Sequence, residues 1–313
     1  MRTVERVRGG VGVAISGGGY AADVTSAGAT LRSLAHEGRH LIAPFAQGAR
    51  RPEMRGAVLA PWPGRTAGAR YAFEGSAHEL SMNEPAREAA LHGFAAWTEF
   101  EVLTERPDRV CLSAEILPGR GYPWTLRLDV EVSVSEAGLS HVIRATNVGR
   151  GRAPVGLGFH PYLLAGAMAE DAVDTWAIDV PAGHVVEPDP QTLLPGRRVR
   201  IARESREPWA LRRAHQVRDA TLNHSYSGLD RDAEGWAQAT VVGADGAGVE
   251  LSVDPAYRWL HVYTADEAEG AGRRASVAVE PMTCPPDAFN SGEDLTVLER
   301  GESIRAECRI RAL

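Results

Sequence analysis

A carboxylate and an imidazole in distant parts of the chain are the residues best suited to move protons. Glu280 closes the apolar alternating run of residues 275–279 and opens a segment rich in proline, asparagine and glycine that extends to Gly292. Burial of such a carboxylate is costly unless it has a partner or a chemical task. His160 lies far upstream, within Gly158-Phe-His-Pro-Tyr162. One acid and one base on stiff backbone are the minimum equipment for general acid–base catalysis.

Other polar side chains also stand in rigid surroundings. Arg65 follows Pro61-Trp-Pro-Gly64, His92 precedes Gly93, and Asn223 precedes a second histidine. Taken singly, three of the candidate residues have a purely structural explanation. Arg65 could form a strand-end ion pair, His92 could cap a turn, and His160 could be a hydrogen-bonded core histidine. Because the same proline and glycine stiffening recurs beside each of them, the set as a whole favours a functional site.

The elements that must position these residues are strands. Residues 126–134 alternate apolar and polar, a turn follows at 136–138, and residues 139–145 return, which predicts a hairpin. A second unit of the same kind occupies residues 239–253, and Trp259, His261 and Tyr263 share one face of a further strand. The 33 glycines and 19 prolines punctuate these runs at short spacing, as in sandwiches and barrels.

Helix signals are few. Residues 86–91 and 207–214 each predict a turn or two of helix, and the chain contains neither an internal repeat nor a low-complexity linker. A chain of 313 residues can bury one large core. We therefore expect an all-β protein in which residues 1–313 form a single domain.

Composition excludes several classes of function. The net charge of −7, from 34 basic and 41 acidic residues, argues against nucleic-acid binding. No run approaches the roughly 18 apolar residues of a membrane span, and residues 1–10 lack the apolar centre of a signal peptide. Three widely spaced cysteines, Cys111, Cys284 and Cys308, without a Cys-x-x-Cys pair, fit reduced thiols in a cytoplasmic protein.

Familiar catalytic motifs are missing. Residues 16–19 have the glycines of a phosphate loop but not its Lys-Ser/Thr pair, so we expect a hairpin turn there. The chain has no Gly-x-Ser-x-Gly elbow for a serine nucleophile. His36 and His40 have a metal-ligand spacing, but they flank a surface-turn composition. We therefore expect no metal site.

The chain resembles the aldose 1-epimerases (galactose mutarotases) of bacterial type. The resemblance rests on five blocks that appear in the order typical of the family and span almost the whole chain. These blocks are Pro61-Trp-Pro-Gly-Arg65 with Gly68-Ala-Arg-Tyr71, Leu91-His-Gly93, Gly158-Phe-His-Pro-Tyr162, Leu222-Asn-His224 and Glu280-Pro-Met-Thr-Cys-Pro-Pro-Asp-Ala-Phe-Asn-Ser-Gly292. The last block and the His-Pro-Tyr block are quite specific.

The resemblance implies a large antiparallel β-sandwich, the galactose mutarotase-like supersandwich, with a monosaccharide in an open cleft on one sheet. It implies His160 as general acid and Glu280 as general base. Arg65 and His92 would bind the sugar hydroxyls and ring oxygen, and Trp62, Trp97 or Tyr162 would offer an apolar platform. The family usually has aspartate where this chain has Asn223, a residue that holds sugar hydroxyls but here lacks charge.

The implied reaction opens a hemiacetal ring and closes it on the other face. Glu280 would take the O1 proton while His160 protonates the ring oxygen, and both steps then reverse, so no cofactor is expected. We expect the two side chains to face each other across a gap about one sugar ring wide.

Three other functions remain open. A glycoside hydrolase needs a second carboxylate, for which Asp254 or Asp287 is available. A hexose-phosphate mutarotase needs a basic pocket, which Arg65 and Arg70 could begin. A non-catalytic sugar sensor would retain the cleft without the reaction, and the uncharged Asn223 gives that alternative some support.

Overall fold

The computed structural model describes residues 9–313. The prediction that the N-terminus is not a signal peptide rests on residues 1–10, of which 1–8 lie outside the described residues. Within the described part of the chain, no helix is long and apolar enough to cross a membrane.

The structure consists mainly of strands, numbered here in chain order. The first are β1 (Gly12–Gly17), β2 (Tyr20–Thr25), β3 (Thr30–His36), β4 (Arg39–His40), β5 (Val58–Leu59), β6 (Arg65–Ala67), β7 (Arg70–Phe73), β8 (Ser76–Glu79) and β9 (Ala89–Leu91). The middle of the chain forms β10 (Glu101–Arg106), β11 (Arg109–Ile116), β12 (Leu126–Ser135), β13 (Gly138–Asn147), β14 (Ala153–Val155), β15 (Gly158–Phe159), β16 (Tyr162–Leu163), β17 (Ala177–Asp179) and β18 (Ala182–Pro188). The remainder forms β19 (Pro195–Arg200), β20 (His215–Gln216), β21 (Asn223–Leu229), β22 (Ala237–Val242), β23 (Gly248–Val253), β24 (Trp259–Tyr263), β25 (Val277–Met282), β26 (Thr296–Leu298) and β27 (Ser303–Ala312).

Helical segments among residues 9–313 are short. One α-helical turn, α1, spans Ala288–Ser291, and 3₁₀ turns span Pro85–Arg87, Ala95–Trp97, Ala172–Thr175 and Gly270–Gly272. The helix predicted over residues 86–91 is therefore limited to its first turn, after which the chain enters β9. The helix predicted over 207–214 is wrong: the carbonyl of Trp209 accepts hydrogen bonds from the Leu211 amide and the Tyr226 hydroxyl instead of serving a helix.

Two large antiparallel sheets dominate the architecture. The nine-stranded sheet has the order β10-β11-β12-β13-β27-β23-β22-β17-β20. The eight-stranded sheet has the order β19-β18-β21-β24-β25-β15-β5, with β16 also paired to β25, and β1 to β4 form a further sheet. The predicted hairpins are confirmed as β12–β13, β22–β23 and β1–β2, the last turning at Gly18 and Gly19. The all-β fold class is likewise confirmed.

A continuous apolar core draws on both large sheets. Leu128 and Val130 of β12 belong to it, and so do Leu260 and Val262 of β24. Because side chains alternate across a strand, the neighbouring residues of β24 and β25 point to the opposite face of the eight-stranded sheet. Glu280 thus lies on that face, and β25 continues past it to Met282 rather than ending there. The following sections concern this outer face.

Candidate functional site

A cavity of about 270 Å³ lies on the outer face of the eight-stranded sheet. It brings together all six residues that the sequence predicted for the site, which are Arg65, His92, His160, Tyr162, Asn223 and Glu280. The other lining residues are Glu53, Met54, Gly64, Glu84, Leu91, His261, Tyr263, Glu267, Met282 and Pro286. The six predicted residues, which lie up to 215 positions apart in the chain, therefore meet in one place.

His160 and Glu280 contact each other directly. The distance from His160 Nε2 to Glu280 Oε1 is 3.3 Å, and both side chains are buried. The predicted gap of one sugar ring is therefore wrong. Two desolvated polar groups can satisfy each other at short range. The spacing still suits the expected chemistry, because the two sugar oxygens that exchange protons are bonded to the same carbon.

Burial pushes both members of this pair toward their neutral forms. It raises the pKa of Glu280 to about 8, against an opposing effect of Arg65. It lowers the pKa of His160 to about 3, and the Arg51 guanidinium adds to the decrease. Loss of solvent is thus the main cause of the pKa shift in both groups. At a pH between these two pKa values, the pair of side chains holds one exchangeable proton, which is the state that an acid–base pair requires.

The hydrogen bonds of His92 fix its tautomer. The Gly64 amide donates to His92 Nδ1 at 3.1 Å, so this nitrogen is an acceptor. Burial, with His160 and Arg65 nearby, holds the pKa of His92 well below its usual value, so the ring is neutral. Its proton must then lie on Nε2, and His92 can donate one hydrogen bond to a ligand.

Close backbone contacts hold the loops that carry Arg65 and His92. Gly93 has φ +67°, and a Cβ atom there would lie 2.2 Å from the Ala60 carbonyl oxygen. Gly64 has φ +68°, and its Cβ would lie 2.9 Å from the Pro286 ring. Both positions therefore require glycine for conformation and for space.

Arg65 is held by Glu84, an acid that no sequence motif marks. Its Nε and Nη2 donate to the two carboxylate oxygens of Glu84 at 2.7 and 2.8 Å. The preceding residue, Asn83, exchanges two hydrogen bonds with the backbone of Leu91, next to His92. The pair Asn83–Glu84 thus braces both Arg65 and the strand that leads to His92.

Asn223 belongs to a hydrogen-bonded chain that also contains the unpredicted site residue His261. Asn223 Oδ1 lies 2.9 Å from His261 Nε2, and His261 Nδ1 lies 2.9 Å from Ser225 Oγ. An amide oxygen only accepts, so His261 Nε2 carries the proton and Ser225 donates to Nδ1. The amide oxygen of Asn223 is therefore occupied, and its NH₂ group is left to donate. In the sequence, alternation places His261 on the face of its strand opposite to Leu260 and Val262. A polar residue on that non-core face is the signal that could have identified His261 as a site residue.

Of the three aromatic platforms considered, Tyr162 is the one that lines the cavity. Its ring stacks on His160, with centroids 5.1 Å apart at an angle of 13°. Trp62 is instead part of the core, where it packs against Phe94 and donates to the Ala90 carbonyl. Trp97 is 69% exposed and lies beside Arg51, outside the cavity lining. Among these three residues, Tyr162 alone lines the cavity, although it too belongs to the core cluster and is 2% exposed.

The acids of the cavity are mostly paired with arginines. Glu53 lies 3.9 Å from Arg55, and Glu267 lies 2.7 Å from Arg87. Neither Asp254 nor Asp287, considered as second carboxylates, lines this cavity. Asp254 instead accepts a hydrogen bond from the Glu307 amide, and Asp287 accepts one from the Ala67 amide.

Three cavity residues have potential metal-ligand atoms within 4.8 Å of one another: His92, His160 and Glu280. The Gly64 amide already occupies the Nδ1 lone pair of His92, and the other ring nitrogen carries the proton. A metal at His92 would therefore have to break that backbone hydrogen bond. The donor set fits a proton-transfer site better than a metal site.

Comparisons with known proteins identify the family of the chain. The family model described as aldose 1-epimerase matches residues 13–311. An Escherichia coli K12 protein named YihR, described as uncharacterized, is 31% identical over 298 residues, covering 94% of this chain and 90% of its own. A GalM/aldose epimerase homologue from C. elegans has a similar structure, with a TM-score of 0.84 at 18% identity, covering 96% of this chain and 98% of that one. A galactose 1-epimerase from Lactobacillus acidophilus has a TM-score of 0.77 at 16% identity, covering 94% of this chain and 92% of that one. The chain belongs to the aldose 1-epimerase family.

Proposed function

We propose that this protein is an aldose 1-epimerase that interconverts the α and β anomers of a free aldohexose such as glucose or galactose. The observation that carries the proposal is the buried contact of 3.3 Å between His160 Nε2 and Glu280 Oε1 on the wall of the cavity. Both groups are shifted toward pKa values that leave one proton between them. Such a pair is suited to moving protons between two oxygens on one carbon.

The proton inventory of the pair matches the proposed reaction. With Glu280 ionised and His160 protonated, the carboxylate takes the proton of O1 while the imidazolium protonates the ring oxygen. Glu280 is then protonated and His160 neutral, which is the charge state that burial favours for both. Rotation about the C1–C2 bond, followed by reversal of both transfers, gives the other anomer.

The remaining proposed site residues bind and orient the sugar. Arg65, braced by Glu84, and the Nε2–H of His92 supply hydrogen-bond donors to hydroxyls or the ring oxygen. Asn223 adds its amide NH₂ group, and Tyr162 supplies an apolar ring. Rigid donors of this kind reduce the entropy cost of holding the reacting carbon beside the pair. The chemistry transfers protons only, so it needs no cofactor.

The charges around the cavity favour a neutral sugar over a hexose phosphate. The lining contains four glutamates and one arginine, Arg65, and Glu84 binds that arginine through both carboxylate oxygens. A phosphate dianion would meet little uncompensated positive charge there. Arg70, the other candidate phosphate ligand, is exposed and does not line the cavity.

The proposal also includes a binding partner and a cellular location for the protein. A monosaccharide is the proposed partner, and we propose a cytoplasmic protein. Cys111, Cys284 and Cys308 are free thiols in the structure, which supports a reducing compartment.

Polarimetry of freshly dissolved α-D-glucose and α-D-galactose tests the proposal. The protein should accelerate the decay of optical rotation above the spontaneous rate for at least one of these sugars. Glu280→Gln should lower kcat by about 10²–10⁴-fold, because the amide keeps the shape of the side chain but cannot accept the proton. His160→Asn should have a comparable effect, whereas substitution of the exposed Glu101 by Gln should not change the rate.

The same measurements separate the alternatives. Mutarotation by Glu280→Gln at the wild-type rate would refute the mechanism. Sugar binding without acceleration by the wild-type protein would favour the sensor function. Release of the aryl group from an aryl glycoside would instead point to a hydrolase.

A further inference from the structure

Two neighbouring rows of side chains lie on the face of the eight-stranded sheet that carries the cavity. In the first row, Glu280 of β25 lies opposite His261 of β24. Side chains on one face of a strand recur at every second residue, so the next row on this face contains Ala278 of β25. Ala278 pairs with Tyr263 of β24 on one side and with Tyr162 of β16 on the other. The small alanine therefore stands between two tyrosines.

The second row is in position to bind the part of a sugar that is remote from its anomeric carbon. Two residues of a strand advance the chain by about 7 Å, which separates this row from Glu280 by roughly one pyranose ring. Asn223, proposed above as a ligand of sugar hydroxyls, belongs to the same row because it pairs with Tyr263. A sugar with C1 beside Glu280 therefore directs its distant hydroxyls toward the second row.

Tyr162 presents an unused hydroxyl at one end of the second row. The residue is almost wholly buried, yet it lines the cavity. Its hydroxyl makes no hydrogen bond to any other described residue and is open to the cavity, whereas the Tyr257 hydroxyl is enclosed in the core. Burial raises the pKa of Tyr162 well above its usual value, and the Glu53 and Glu280 carboxylates add to the increase. The hydroxyl thus keeps its proton and can donate it to a ligand.

Glu53 brings a carboxylate to the same end of the cavity. Its Oε2 is enclosed without a hydrogen-bond partner among residues 9–313, and it lies 3.9 Å from Arg55 Nη2, too far for a hydrogen bond. The side chain is 29% exposed and lines the cavity, so Oε1 is the oxygen that a ligand can reach. Burial raises the pKa of Glu53, with Arg55 opposing the shift and Glu267 adding to it. A hydroxyl donor from a ligand would relieve this desolvated carboxylate.

The backbone that carries Glu53 is strained and is tied to the proposed general acid. Glu53 and Met54 have φ values of +43° and +61°, in the left-handed region that residues other than glycine rarely occupy. The Gly56 amide donates to the His160 carbonyl at 2.8 Å, and the His160 amide donates to the Ala57 carbonyl at 3.0 Å. Strained residues of this kind persist where the surrounding structure holds them, and they cluster at ligand sites. The turn and His160 are therefore positioned together.

Glu53 is the glutamate of the cavity lining that retains hydrogen-bonding capacity for a sugar. Glu84 and Glu267 each bind an arginine at 2.7 Å, and Glu280 is assigned to proton transfer. Asn223, at the other end of the second row, carries no charge. Glu53 thus supplies a charged acceptor that Asn223 does not.

We propose that Glu53 and the Tyr162 hydroxyl together bind one sugar hydroxyl remote from C1 and so determine which aldoses are accepted. Glu53 Oε1 accepts the proton of that hydroxyl, and the Tyr162 hydroxyl donates to its oxygen. This inference rests on the proposed function, because Glu280 and His160 fix the position of C1. The substrate class is aldoses with a free hydroxyl on the carbon that faces this pair, which is C3, C4 or C6 rather than C2.

The test removes groups from both sides of the contact. Tyr162→Phe deletes only the hydroxyl, and Glu53→Ala deletes the carboxylate. The matched controls are Tyr257→Phe, which deletes an unpartnered hydroxyl in the core, and Glu37→Ala, which changes an exposed glutamate with a similar φ of +49°. Mutarotation would be measured by polarimetry for glucose or galactose, whichever reacts faster, and for the 2-, 3-, 4- and 6-deoxy derivatives of that hexose.

The decisive quantity is the factor by which removal of one sugar hydroxyl lowers kcat/KM. In the wild-type protein and in both controls, this factor should be about tenfold or more at C3, C4 or C6. In Tyr162→Phe and in Glu53→Ala it should be smaller by about threefold or more at that same carbon, because the protein side of the contact is already missing. A merely structural role would lower kcat/KM equally for every sugar. A smaller change of the factor in either variant, or a change confined to C2, would overturn the proposal.

If neither hexose mutarotates faster with the protein, the proposed function fails, and dissociation constants from calorimetry with the same sugars decide the contact. Weaker binding of one deoxy sugar by the wild-type protein, with the difference lost in both variants, would then support it. Equal differences in wild type and variants, or no binding of either hexose, would refute it. Urea denaturation checks that each variant is folded, and Glu53→Gln replaces Glu53→Ala if the alanine variant is not.

Discussion

Asn223 offers a ligand a different atom from the aspartate that the family resemblance leads us to expect at this position. Its amide oxygen faces His261 Nε2 at 2.9 Å, which leaves the NH₂ group as a donor. In Asn223→Asp, one carboxylate oxygen can keep the bond to His261 while the other accepts from a sugar hydroxyl. A charge-assisted bond is roughly twice as strong as a neutral one. We expect the substitution to strengthen sugar binding by about 1 kcal/mol.

This gain should appear as a KM about fivefold lower with kcat little changed, if the contact is equal in the ground and transition states. Asn223→Ala, which lacks both donor and acceptor, should raise KM instead. An unchanged or higher KM in Asn223→Asp would show that the ligand presents an acceptor to this position rather than a hydroxyl proton.

Residues within short motifs could be predicted from the sequence, whereas their partners could not. His160 and Glu280 stand in stiff local segments that mark them without any knowledge of the fold. Glu84 lies in a segment with no such signature, and its role depends on the approach of Arg65, 19 positions away. The separation of His160 and Glu280 was mispredicted because side-chain packing sets it, and the sequence does not give that packing directly.

At the scale of elements, the pairing of β6 with β9 positions one side of the site. Arg65 on β6 lies opposite Leu91 on β9, and His92 follows directly. The segment Asn83–Glu84 holds both strands through side-chain hydrogen bonds. Substitution in this segment should therefore affect sugar binding although Glu84 takes no part in proton transfer.

Glu84→Gln should lower kcat/KM about tenfold, mainly through a higher KM, because the neutral amide cannot receive both guanidinium hydrogen bonds. Loss of a hydrogen bond to a charged group is worth about 1.5–3 kcal/mol. The matched control is Glu74→Gln, which breaks an exposed ion pair to Arg152 and should leave the kinetics unchanged. Wild-type kcat/KM in Glu84→Gln would contradict the bracing role.

Hairpins were the elements that the sequence predicted best. The β12–β13 pair is local, and its apolar alternation determines which face is buried. The neighbours of β25 within the eight-stranded sheet were not predictable in the same way. Strand β16 and part of β15 both pair with it, across more than a hundred residues of chain. Such pairings depend on the whole sheet rather than on local pattern.

At the scale of the whole molecule, one buried histidine connects the two large sheets. His141 of β13 stacks on Phe159 of β15, with ring centroids 4.0 Å apart, and it is 0% exposed. Neither of its ring nitrogens has a hydrogen-bond partner within residues 9–313. Burial lowers its pKa to about 3. The unfolded chain, with a histidine pKa near 6.5, therefore binds this proton more readily than the folded protein.

The stability contributed by neutral His141 is thus present above pH 6.5 and is lost as the pH falls toward 3. At pH 4.5 the loss from this residue should be about 2 kcal/mol relative to pH 7. His141→Leu removes that dependence and should reduce the fall in unfolding free energy between pH 7 and 4.5 by a similar amount. Urea denaturation at both pH values measures it, with a substitution of the exposed His40 as control. Equal pH dependence in wild type and His141→Leu would contradict the assignment.

We propose that the chain forms one domain, as expected from its length and pattern. A single apolar cluster that includes Val13 near one end and Ile310 near the other supports this. In the nine-stranded sheet, the C-terminal strand β27 pairs with both β13 and β23. Contacts between distant parts of the chain are therefore needed to complete the sheet.

The position of Glu280 in β25 makes the proposed activity depend on the register of that strand. Glu280 faces the cavity, while its neighbour Val279 belongs to the core. A slip of β25 by one residue against β24 would exchange these two faces, burying the carboxylate and presenting a valine to the sugar. Such a misfolded chain could keep nearly all of its strands and still lack the proposed activity. Spectroscopic β-content would not distinguish it from the native protein, whereas sugar turnover would.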